Sequence, residues 1–330
     1  MKELMMKKTI AGTLMAIVCS IVVLGGAETT AVTDKNTTPV LWEKTEWGEL
    51  GLGEFKFAPY PDDSRTTGYM RNKKLYTFEE HYNDSSAAIA IPEGFDGSGR
   101  IDFVVICHGH NNNSKKMMVE NRLGYLLKDS GRNAILITPQ GPKNVADSGG
   151  GKFEKPDSFA KFIYEVLSVL QRDGRVDKNS KLGNVIIAGF SGGGRPASYI
   201  IKNSGLADHL VEAWLIDAAY GQLDMVSEAF TDAYSKKYPQ VLRSLFTNHL
   251  AQNNALLMAR IGTPHGRNVC VVDDAFMQDI DNEIKTRMKQ NPILFMHTLL
   301  PHNAFKMAAR YIEPMIETSR FLRPIPAKEK

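Results

Sequence analysis

The chain has 330 residues, 43% hydrophobic, 23% charged and 9% aromatic, with 27 Gly and 15 Pro; these proportions exclude a disordered, collagen-like or disulfide-rich small protein. A net charge of +3, from 40 Lys and Arg against 37 Asp and Glu, gives no electrostatic footprint for nucleic acid. Three cysteines cannot build a disulfide framework, and the length suits one or two domains.

Lys2, Lys7 and Lys8 precede an uncharged run, TIAGTLMAIVCSIVVLGGA, over residues 9–27. A basic start, an apolar centre and the small residues Gly25, Gly26 and Ala27 predict a secretory signal over residues 1–27, cleaved near Ala27. The run is also long enough to stay as a membrane anchor, the only membrane contact the sequence offers. Cys19 follows Val18, where a lipoprotein signal wants a small residue. Without residues 1–27 the chain is close to neutral. It keeps Cys107 and Cys270, each inside an apolar run where a packed thiol is expected; export permits a disulfide between them and nothing requires one.

Residues 28–85 are polar and turn-rich around Trp42 and Trp47, and read as a segment that wraps the domain. Beyond them, residues 86–330 alternate short apolar runs with amphipathic stretches. Strands are predicted over 86–91 and 101–107, a helix over 114–128, and a strand over 133–138. A Gly-rich loop follows, then a helix over 156–171 in which Phe159, Phe162, Ile163, Val166, Leu167 and Leu170 recur at helical spacing. Strands at 184–188, 213–216, 241–246, 268–272 and 293–296 come next, with helices from Gly192 and over 303–318. Apolar strands without alternation, separated by helices, predict one α/β domain with a mostly parallel central sheet and helices on both faces.

Residues 184–195 read NVIIAGFSGGGR, an apolar strand, then Gly189-Phe190-Ser191-Gly192-Gly193, then a helix. In this context G-x-S-x-G is a nucleophile elbow. The serine turns sharply between strand and helix, where neighbouring side chains would collide, so Gly189 and Gly193 are needed. The helix N-terminus directs N–H groups at a developing oxyanion. Residues 103–113, FVVICHGHNNN, end an earlier strand in His108-Gly109.

On these motifs and their order, the chain resembles the α/β-hydrolase superfamily over about residues 86–321, and more narrowly secreted bacterial serine hydrolases of esterase type. Many members have His where this chain has Phe190. The resemblance implies an oxyanion hole from the backbone N–H groups of His110 and Gly192. It also implies a triad in the chain order Ser, acid, His. The base falls to His302, which follows Pro301 and opens the last helix, while His297 sits in a strand end. Asp217 ends the strand AWLID and is the favoured acid, with Asp273 and Asp274 as the alternatives.

The expected activity is hydrolysis of an ester, or an amide, in a small or polymer-linked substrate through an acyl-enzyme on Ser191. It needs no metal or organic cofactor. Two other classes stand beside it: a metal-dependent hydrolase using His108 and His110, and a non-catalytic exported binding protein on a hydrolase scaffold. Ser148, in the string DSGG, is read as a loop residue bordering the site. Residues 223–260, with Met225, Phe230, Tyr234, Tyr238 and Phe246, are a candidate cap or ordinary core.

Overall fold

The computed structural model describes residues 39–231, 239–262 and 269–327. The predicted signal at 1–27, Tyr234 and Tyr238 lie outside the described residues. Among the described residues no helix is long and apolar enough to cross a membrane.

Strands form wherever the apolar runs predict them. In chain order they are β1 (Leu41–Thr45), β2 (Gly48–Glu54), β3 (Tyr69–Arg71), β4 (Lys74–Tyr76), β5 (Ser86–Pro92), β6 (Arg100–Cys107), β7 (Ala134–Pro139), β8 (Lys181–Phe190), β9 (Leu210–Ile216), β10 (Val241–Phe246), β11 (Cys270–Asp273) and β12 (Ile293–His297). Ten of them make one sheet in the order β1-β2-β5-β7-β6-β8-β9-β10-β12-β11, and β3 and β4 pair separately. From β7 to β11 every pairing is parallel, whereas β5 runs antiparallel to both β2 and β7. The wrapping segment expected at 28–85 therefore does more than wrap. Its strands β1 and β2 form one edge of the sheet, and their polar and glycine-rich sequences, LWEKT and GELGLGE, are mostly only partly buried and hold no continuous apolar run.

Side chains of β6 show that both faces are covered. Phe103, Val105 and Cys107 enter a core with Phe159, Phe162 and Val166 of the helix Ser158–Arg172. Val104 and Ile106 enter another with Leu123, Leu127 and Met315. Each such buried side chain contributes about 1.5–3 kcal/mol of transfer free energy. The mostly parallel sheet between two helical layers is the α/β architecture that the sequence predicts. Among the described residues both cysteines are unpaired, Cys107 in the first core and Cys270 against the second.

Two helices differ from their predicted form. The helix expected over 114–128 is split into Ser114–Glu120 and Leu123–Asp129. The Asn121 side chain donates to the Met117 carbonyl at 3.0 Å, and Arg122 takes a left-handed conformation with φ 54°. The last helix runs as expected, capped by the Asn303 side chain on the Lys306 N–H, but widens to a π-turn over Ala308–Ile312. Pro314 follows after Glu313; it has no N–H to give and its ring would press on the carbonyl four residues back, so a wider turn relieves both. Phe230 and Phe246, candidates for a cap, are buried in the first core, so they are core residues.

Candidate active site

β8 ends at Phe190 and the next residue, Ser191, has φ 52°, a left-handed conformation that costs an L-residue about 1–3 kcal/mol and persists where the surroundings enforce it. Those surroundings have no room for larger neighbours. A Cβ on Gly189 would lie 2.5 Å from the Gly193 carbonyl oxygen, and one on Gly193 would lie 2.2 Å from that of Cys107. A short turn over Ser191–Gly193 then passes into the helix Gly194–Asn203, whose N-terminal dipole favours negative charge near Ser191.

The loop after β12 carries His302 to this serine. His302 Nε2 lies 2.9 Å from Ser191 Oγ, and His302 Nδ1 lies 2.5 Å from Asp217 Oδ2. Phe190 stacks on the His302 ring, centroids 5.3 Å apart and planes 18° from parallel. Phe190 thus forms one wall for the imidazole. Asp217 follows β9, is fully buried, and has φ 47°. Burial alone would raise its pKa. Hydrogen bonds from His302 and from the Thr247 backbone N–H at 2.9 Å outweigh burial and hold the carboxyl below its ordinary value. It is therefore an acceptor-only carboxylate, which fixes the Nδ1–H tautomer of His302 and leaves Nε2 free to take a proton.

The alternatives for the acid are occupied elsewhere. Asp273 faces His297 across β11 and β12 with Oδ2 2.8 Å from Nδ1, and His297 Nε2 meets Asn248 Oδ1 at 2.7 Å. Asp274 accepts from the Thr298 hydroxyl, the Leu299 N–H and the Tyr311 hydroxyl. This second Asp–His pair ends on an asparagine rather than on a nucleophile.

The loop after β6 lies against the serine: a Cβ on Gly109 would be 2.8 Å from Ser191 Cβ. His108 is buried, and its Nε2 receives the Gly141 N–H at 2.9 Å and the Gln140 amide at 3.1 Å, so its proton sits on Nδ1, 2.8 Å from the Gly109 carbonyl oxygen. Burial lowers its pKa and keeps it neutral. The His110 imidazole stands beside Gly192 with Nε2 2.7 Å from Ser148 Oγ, and burial, then Arg71, lowers its pKa. Both histidines proposed as a metal pair thus spend ring nitrogens on hydrogen bonds. The one group of three possible ligands among the described residues is Asp217, His249 and His302.

Ser148, Ser191, Gly192, Arg195, Ala218 and Tyr220 line a cleft of about 210 Å³. Ser148 is placed there by Asp147, which accepts from Arg65 Nε at 2.7 Å and Nη2 at 3.1 Å, from the Tyr82 hydroxyl at 3.1 Å and from the Gly149 N–H at 2.9 Å. Burial raises the Asp147 pKa, but the Arg65 guanidinium dominates and holds it below the ordinary value. Arg65→Met leaves this carboxylate buried and uncompensated, at an expected cost of about 3 kcal/mol at pH 7. The sign follows from linkage. In the wild type the pair contributes stability above the usual carboxylate range and loses it as pH falls; in the variant, protonating Asp147 relieves the penalty. The difference in Tm between the two proteins is therefore expected to shrink from pH 7 to pH 4, as thermal unfolding followed by circular dichroism would measure.

Residues missed in the sequence complete the picture. Thr247 Oγ1 lies 3.2 and 3.1 Å from the two Asp217 oxygens and 2.5 Å from His249 Nδ1, and His249 Nε2 lies 2.8 Å from the Tyr220 hydroxyl. They come from loops after β9 and β10, where no periodicity marks them; the only signal was proximity to strand ends.

No family model and no curated protein sequence matches the chain. Among solved structures, a mutant of the feruloyl esterase module from Clostridium thermocellum complexed with sinapinate is similar with 13% identity and a TM-score of 0.47, covering 71% of this chain and 82% of that one. A ferulic acid esterase shows 14% identity and a TM-score of 0.44 over 70% and 91%. A Xanthomonas campestris protein described as an α/β serine hydrolase without lid shows 12% and 0.34 over 86% and 93%. What each of those proteins acts on is a property of that protein.

Proposed function

We propose that this chain is an exported serine hydrolase that cleaves an ester through an acyl-enzyme on Ser191. The observation that carries the reading is the continuous contact Ser191–His302–Asp217, with its buried, ionised acid. His302 takes the Ser191 proton as Oγ attacks the carbonyl carbon, and Asp217 stabilises the imidazolium. Backbone N–H groups of His110 and Gly192 receive the oxyanion; a single such donor is worth about 3–4 kcal/mol in a well-studied protease. His302 then protonates the leaving group, and water hydrolyses the acyl-enzyme with His302 as base. The cleft of about 210 Å³ favours a short acyl group beside the serine, with the remainder of the substrate, small or polymer-linked, outside it. No step calls on a metal or organic cofactor. Export rests on the basic and apolar pattern of residues 1–27.

The test is a panel of p-nitrophenyl esters of increasing acyl length and matching peptide p-nitroanilides, assayed with and without a chelator. Short esters should be the preferred substrates, with no loss on chelation. Turnover abolished by chelation and restored by a divalent metal would overturn the serine reading in favour of a metal-dependent hydrolase.

A further inference from the structure

Tyr220 and His249 form a second chain of hydrogen bonds that starts at the same buried carboxylate as the triad and ends in the cleft that Ser191 lines. Tyr220 lines the cleft with Ser191 and is 48% exposed. Burial, then the Asp217 charge, raises the pKa of its phenol and keeps it protonated.

The direction of each hydrogen bond follows from the carboxylate. Ionised Asp217 only accepts, so the Thr247 hydroxyl donates to it at 3.1–3.2 Å. That uses the one Thr247 proton, so Thr247 Oγ1 accepts from His249 Nδ1–H at 2.5 Å. A neutral His249 then presents a lone pair at Nε2, and Tyr220 O–H donates to it at 2.8 Å. The Tyr220 oxygen is left with its lone pairs toward the cleft, as an acceptor beside the nucleophile. The His249 ring also stands edge-on to His302, centroids 5.4 Å apart and planes at 89°.

Resting on the serine-hydrolase reading, we propose that Tyr220 is a further catalytic residue that acts in deacylation: its oxygen accepts a hydrogen bond from the hydrolytic water, and His249 is a positioning residue that sets the phenol proton away from that water. The water needs two acceptors. One hydrogen goes to His302 Nε2 as the water oxygen attacks the acyl carbonyl carbon; the other is held by Tyr220 and is not transferred. The bond between Ser191 Oγ and the acyl carbon then breaks, His302 returns its proton to Oγ, and the carboxylic acid leaves with the second hydrogen. Acylation has no such water, so Tyr220 is not needed there.

Stopped-flow hydrolysis of p-nitrophenyl acetate separates the steps. Tyr220→Phe should acylate within about twofold of the wild type and release one equivalent of p-nitrophenolate in a burst, while its deacylation slows by about tenfold or more. His249→Phe, with Tyr220 intact, should show the same selective loss, and His249→Gln, whose amide oxygen can again accept from the phenol, should recover part of it. Acylation and deacylation slowed by equal factors, or deacylation unchanged in Tyr220→Phe, would overturn the role. If neither wild type nor variant forms an acetylated protein detectable by intact mass, the acyl-enzyme reading fails, and the proposal falls with it.

Discussion

Alanine at Ser191 or at His302 is expected to lower kcat by about 10⁶, and the double variant should be no worse than either single one. The two side chains meet at 2.9 Å and share one proton, so removing either already removes the whole attack. Residual turnover should reflect the oxyanion donors and substrate binding, which both variants keep. Ser191 also has a left-handed conformation in which alanine, with the same Cβ, meets the same steric cost as serine, so the loss belongs to chemistry and not to refolding of the elbow. Steady-state kinetics with matched circular dichroism spectra would check this. Additive losses, with the double variant far below both singles, would mean that the two residues act in separate steps.

Asp217→Asn is expected to lower kcat by about 10⁴ while leaving the fold intact. The asparagine keeps the shape, but it can present an N–H where His302 Nδ1 needs an acceptor, favouring the tautomer with the proton on Nε2. That proton would sit against Ser191 and block its deprotonation. The same substitution at Asp273, which serves His297, should leave kcat within about twofold. Together the pair separates the candidate acids: a large loss at 273 with little change at 217 would place the base and acid on the other Asp–His pair. Because hydrogen bonds hold Asp217 below the ordinary carboxylate range, it stays ionised as pH falls to mildly acidic values, and the stability it contributes is lost only below that range.

The elbow was legible because its chemistry is steric and local. Strand, glycines and helix occur in one unbroken stretch, and the clashes that a Cβ would meet at Gly189 and Gly193 explain why. His302 was legible from its place between the last strand and the last helix. Asp217 was ambiguous because several strands end in carboxylates, and only the packing shows which of them faces the histidine. The two Asp–His pairs have the same local chemistry; they differ in what lies beyond the imidazole, Ser191 in one and Asn248 in the other. Strands β1 and β2 were not legible because their short, polar or glycine-rich sequences contain no continuous apolar run. Nor were Thr247, His249 and Tyr220, because their relation to Asp217 crosses two loops, and nothing local in the chain encodes such a contact.

The phenylalanine at 190 helps to hold the base in place. Its ring lies nearly parallel to His302, with edge-on His249 as another neighbour. The imidazole is thereby oriented by packing as well as by Asp217, which limits the rotations that would break its contact with Ser191.

The central claim is that Ser191 is an activated nucleophile, and covalent labelling tests it most directly. A fluorophosphonate probe reacts with such a serine by losing fluoride and forming a phosphonyl ester. Incubation of the folded protein followed by peptide mass spectrometry should find one adduct, on the peptide containing Ser191, absent from Ser191→Ala and strongly slowed in His302→Ala. No adduct on the folded protein, or an adduct on Ser148 that survives Ser191→Ala, would contradict the account.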